Sequence, residues 1–73
     1  MAYQIVMDHS GDSRHEFSLN DAESLARAER LFHELTAKGF TAAVRVGRGE
    51  ARRTTVFDPN AEETLFFPRL VGG

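Results

Sequence analysis

Three features of the sequence predict a small α+β fold, a mixed sheet with a single helix packed across it in ββαββ order. Only one stretch, residues 22–38, repeats its apolar residues at helical spacing. Short runs on either side of it alternate in hydropathy and are joined by polar or glycine-bearing turns, as in antiparallel hairpins. At 73 residues the chain has room for one domain, and one sheet with one helix across it is the economical way to bury both apolar sides.

The first strand is read over residues 2–8, with Tyr3, Ile5 and Met7 on one face and Gln4, Val6 and Asp8 on the other. His9, Ser10, Gly11, Asp12 and Ser13 supply turn chemistry, with Gly11 free to take a positive φ. The second strand, 14–19, sets His15, Phe17 and Leu19 opposite Arg14, Glu16 and Ser18. Asn20 is expected to cap the helix, with Glu23 three residues on reaching back as a capping-box acid. Ala22, Leu25, Ala28, Phe32 and Leu35 form the inward stripe, and Leu31 lies at its edge. Glu23–Arg27 and Glu34–Lys38 are spaced as ion pairs on the opposite side. Gly39 is the expected left-handed stop, with Phe40 folding back toward Leu35.

A third strand follows over 40–46, with Phe40, Ala42, Val44 and Val46 inward. Gly47-Arg48-Gly49-Glu50 is expected to be a hairpin turn, leading to a fourth strand over 51–57. Asp58-Pro59-Asn60 is a turn signal, read as capping one helical turn over Ala61, Glu62 and Glu63. Residues 64–67 suit a short last strand, and Pro68, with no amide donor, should end its pairing. The domain is therefore placed at 1–67 and a flexible tail at 68–73.

Composition narrows function more than it assigns it. The chain has no cysteine, so neither disulfides nor thiolate zinc sites staple it, and its 41% apolar content and six phenylalanines must build the core. That usage fits a reducing, cytoplasmic setting. No apolar run approaches the roughly 20 residues that span a bilayer, so no membrane partner is expected. A net charge of −2 argues against a general nucleic-acid coat protein.

Chemistry-bearing clusters are few. Asp8, His9, Asp12 and His15 lie close together around one turn, but spacing alone does not make ligands converge, and no metal or cofactor is expected. There is no G-x-S-x-G, and Glu62 and Glu63 are adjacent residues that point apart, so the reading is non-enzymatic. Arg45, Arg48, Arg52 and Arg53 are the candidate basic patch, suited to an acidic protein surface or to nucleic acid. The outward positions beside them, Thr41, Ala43 and Thr54, offer no aromatic platform for bases, so nucleic acid is the disfavoured ligand.

The tail, Arg69-Leu70-Val71-Gly72-Gly73, carries the sharpest functional signal. Glycine lets the backbone enter a narrow channel and leaves a terminal carboxylate sterically open. Leu70 and Val71 suit an apolar groove, and Arg69 adds a charge contact. The element order, running out to Gly72-Gly73, resembles that of ubiquitin-like β-grasp proteins. Glu62-Glu63-Thr64-Leu65 followed by Arg69 to Gly73 is similar to the end of ubiquitin, and Phe66-Phe67-Pro68 is similar to the ends of prokaryotic sulfur carriers. The resemblance implies that an ATP-dependent activating enzyme adenylates the Gly73 carboxylate, after which a cysteine or sulfide captures the acyl group. Three departures from ubiquitin, the rigid Pro68, Val71 in place of an arginine and a better-formed hairpin between the third and fourth strands, weigh more against conjugation than against sulfur carriage. The competing reading is an interaction module that binds a protein or nucleic-acid partner through its arginine-bearing sheet face. The sequence does not specify an oligomeric state.

Overall fold

The structure, a computed structural model, describes residues 2–47 and 49–68. The alternating run Ala2–Asp8 forms β1 and turns through His9 and Ser10 into β2, Gly11–Phe17. The turn is tight because the Asp8 carboxylate accepts hydrogen bonds from both the amide (2.9 Å) and the hydroxyl (2.6 Å) of Ser10. Gly11 then takes φ +122° to re-enter the ladder opposite Asp8.

The helix α1 spans Ala22–Ala37. Its cap is Asp21, one residue later than expected at Asn20: the Asp21 carboxylate accepts from the amides of Glu23 and Ser24. The shift has a local cause. Asn20 is held in the preceding turn by its amide bond to the Ser18 hydroxyl, while Ser24 folds inward and its hydroxyl accepts from the Ser18 amide at 3.1 Å. Ser24 is thus a buried member of the inward face, whereas Ala22 is exposed. At the other end Gly39 adopts φ +98°, and the Phe40 and Gly39 amides donate to Leu35 and Thr36, the Schellman ending the sequence signals.

β3 covers Thr41–Gly47 and β4 covers Glu50–Thr54, joined through the glycine turn, with a register shift between Arg45 and Gly47. β4 ends three residues before the expected limit at 57, because the Thr54 hydroxyl accepts from the Val56 amide and closes a turn. Val56 is left in water and Phe57 swings under the helix. Val46, expected inward, is also exposed, at the register shift between Arg45 and Gly47. Asp58, Pro59 and Asn60 form the expected turn, but no helical turn follows. Glu63 instead opens β5, Glu63–Phe67, a full strand where the ββαββ order allowed only a short last run. Pairing stops before Pro68, as its missing amide dictates.

The sheet order is β2-β1-β5-β3-β4, with β5 central and parallel to β1 and the other pairs antiparallel. A helix across such a sheet is the expected α+β, β-grasp-like arrangement. Its core has two clusters, one around Val6, Phe32, Leu35, Ala42 and Phe66 and one around Ala2, Phe17 and Ala28. Phe57 touches both, its ring 5.9 Å from Phe17 and 6.0 Å from Phe32. The buried polar residues are equally specific. Gln4, 1% exposed, donates to the Ala28 carbonyl at 2.8 Å, whereas the hydroxyl of its neighbour Thr64 has no hydrogen-bond partner among the described residues.

Candidate functional site

Register decides which side chains share the uncovered face of the sheet. Tyr3, Ile5 and Met7 pair with Glu16, Arg14 and Asp12 of β2. On the other side Tyr3 pairs with Glu63 and Ile5 with Leu65. Leu65 and Phe67 of β5 pair in turn with Ala43 and Thr41, and Ala43 with Arg53. Paired residues point the same way, so one lateral row runs Arg14, Ile5, Leu65, Ala43, Arg53 across all five strands. Tyr3, Ile5, Met7 and Leu65 are half-buried by their neighbours alone, and Phe67 is 36% exposed.

Electrostatics close one end of this face. The Arg14 guanidinium lies 4.8 Å above the Tyr3 ring and reaches Glu63 at 4.0 Å. Arg45 donates to the same Glu63 carboxylate from the opposite side. One glutamate thus holds two arginines inward from β2 and β3, and both stay largely in water, where such pairs contribute little to stability.

The expected basic patch is divided by this geometry. Arg45 and Arg53 are on the open face, and Arg45 is matched by Glu63. Arg52 pairs with Val44 and lies on the helix side, because residues adjacent along a strand point to opposite faces. Arg48 lies outside the described residues, as do Arg69, Leu70, Val71, Gly72 and Gly73 of the tail. Arg14 and Glu63 are the members that sequence reasoning missed. The i, i+2 alternation of strands gave the signal for each face, but only the parallel β1–β5 pairing shows that Glu63 lies between Arg14 and Arg45.

The turn cluster is dispersed as well. Asp12 is opposite Met7 and His15 opposite Gln4, which puts them on different faces. Asp8 is engaged by Ser10, whose two hydrogen bonds hold its carboxyl below the ordinary carboxylate range. Among the described residues no three histidines or carboxylates gather as a metal set. On the helix, the Glu29 carboxylate lies 3.8 Å from the His33 ring nitrogen, and among the described residues neither expected glutamate–cation pair forms.

A groove of 530 Å³ runs between α1 and β2, lined on the helix side by charges of both signs, Arg27, Arg30 and Glu34. A second, of 650 Å³, lies between the end of β3 and the Asp58–Glu63 loop. Among the described residues no helix is long and apolar enough to cross a membrane. No family model, curated protein or solved structure matches the chain.

Proposed function

We propose that this protein is a non-enzymatic, ubiquitin-like or sulfur-carrier-like molecule that presents Gly72-Gly73 to a partner activating enzyme in the cytoplasm. The observation that carries this reading is the position of β5. The last strand is central in the sheet, is anchored by the wholly buried Phe66, and ends against Pro68, five residues before Gly73. A carrier needs a folded body that identifies it and a ladder that stops at a fixed point before the segment it presents. The side chains Arg69, Leu70 and Val71 would then be recognised by the partner, with the Gly73 carboxylate as the group activated.

The test uses the chain ending at Gly73, incubated with ATP and a candidate activating enzyme and followed by intact mass. An adenylate, a thiocarboxylate or a lysine conjugate at Gly73 supports the reading. Unchanged mass with every enzyme tried, together with a cellular phenotype indifferent to deletion of Gly72-Gly73, overturns it.

A second reading, a protein-binding module, is favoured by the uncovered Ile5, Leu65 and Phe67 beside Arg53. Nucleic acid is the weaker ligand for this face, because Arg45 is already matched by Glu63 and Arg52 points to the other side. Binding through phosphates would fall steeply with salt.

A further inference from the structure

The strand that divides the expected basic patch also exposes it. β4 is an outer strand of the sheet, and its Arg52 and Arg53 are both exposed, one toward each face. Among the described residues neither is ion-paired. A flat partner surface reaches only one of them, whereas a cleft that encloses the end of the strand reaches both. The ladder stops at the Ala42–Thr54 pair, and Thr55 and Val56 follow in a bend outside it. Thr55 is exposed, and Val56, at 67%, is the most exposed large apolar side chain among the described residues.

The two neighbouring hydroxyls differ. Thr54 is half-buried and is used by the bend: its hydroxyl donates to the Val56 carbonyl at 2.8 Å and accepts from the Val56 amide at 3.2 Å. Thr55 alone, of all the serines and threonines in the chain, has arginines both two and three residues before it.

We propose that Thr55 is a phosphorylation site, the acceptor for a protein kinase with an acidic substrate cleft. Arg52 and Arg53 enter separate carboxylate-lined subsites on the two sides of the extended segment, and Val56 fills an apolar one just beyond the hydroxyl. In the transfer, the Thr55 Oγ–phosphorus bond forms as the bond from the γ-phosphorus of ATP to its ADP oxygen breaks. The hydroxyl proton passes to the kinase's own aspartate, and the products are ADP and phosphothreonine. The bend is closed by the Thr54 side chain, and an exposed closure at the end of an outer strand is where local opening costs least. The phosphate has room, because Thr55 lines an open groove of 420 Å³ together with Arg53 and Thr36. Its charge of roughly −2 offsets the two arginines, so this edge changes from cationic to neutral. The inference holds whether or not Gly73 is activated.

The intact chain is incubated with MgATP and the catalytic subunit of the cyclic-AMP-dependent kinase, a probe that selects such paired arginines, and is followed by intact mass and fragmentation. One phosphate, about 80 Da, should be added and should map to Thr55. Thr55→Ala should abolish the addition, whereas Thr54→Ala, which removes the closure of the bend, should keep it at an equal or higher rate. Arg52→Gln and Arg53→Gln should each lower kcat/KM by about tenfold or more. A synthetic peptide of residues 50–58 is the reference for presentation, and kcat/KM for the folded chain should lie within about tenfold of it. Circular dichroism confirms that each variant is folded. No incorporation into the folded chain, phosphate on Thr54 or another residue, indifference to both arginine changes, or a folded chain slower than that limit against the peptide would each overturn the proposal.

Discussion

The two faces of the sheet carry similar amounts of apolar side chain and behave very differently. On the covered face Phe66 and Phe32 are 0% and 1% exposed, with rings edge-on at 5.7 Å. On the open face Ile5 and Leu65 pair with each other and are only half-buried. The difference teaches that alternation marks a strand but not which side of it is the core. In β1 the more apolar set, Tyr3, Ile5 and Met7, faces away from the helix, while Gln4 is the residue fully enclosed. Gln4 is tolerated there because its amide finds the Ala28 carbonyl.

The sharpest way to break this comparison is to truncate neighbours in β5. Phe66→Ala should cost about 3–5 kcal/mol, enough to unfold most of a domain this small, whereas Leu65→Ala should cost about 1–2 kcal/mol. Urea melts of the two variants measure the contrast, and equal losses would mean the open face is as much a core as the covered one. Phe57→Ala should follow at about 2 kcal/mol, since one half-buried ring serves both clusters.

Smaller effects sharpen how the helix is fixed to its face. Asp21→Ala should destabilise by about 1 kcal/mol and Asn20→Ala by far less, which separates the cap found from the one expected. Thr64→Val should leave stability unchanged or raise it by up to about 1 kcal/mol, because it removes a buried hydroxyl that has no partner among the described residues. A clear loss in thermal melting would point to a partner for that hydroxyl.

The smallest effect is at the first turn. The Asp8 carboxyl titrates below its unfolded value because Ser10 bonds the charged form. Its contribution is therefore fully present above the unfolded pKa, and it is lost as pH falls through the lower folded one. Melts from roughly pH 5 to pH 2 should show a slightly shallower acid loss in Asp8→Asn than in the parent. Identical curves would mean that the turn does not depend on this carboxylate.

Much of the candidate site was legible only in pieces. The Gly39 stop, the Gly47–Gly49 turn and the end of pairing at Pro68 follow from φ requirements and a missing donor, which are properties of single residues. The basic patch did not survive as a unit, because nearness in sequence along β4 puts Arg52 and Arg53 on opposite faces. Conversely, Arg14 and Glu63 are 49 residues apart (63 − 14) and meet through a parallel pairing that no local pattern announces.

What the amino-acid order settled alone was local: the two hairpins, one amphipathic helix with its glycine stop, and a final strand halted by proline. Backbone stereochemistry and hydrophobic period act over a few residues and need no knowledge of the rest. Tertiary structure decided the insertion of β5 between β1 and β3, the choice of Gln4 and Val6 over Ile5 as the buried face, and the use of Phe57 as a loop-borne plug. These depend on how a single helix shares its one apolar stripe with five strands, a competition among distant segments that is resolved only when all of them are packed together.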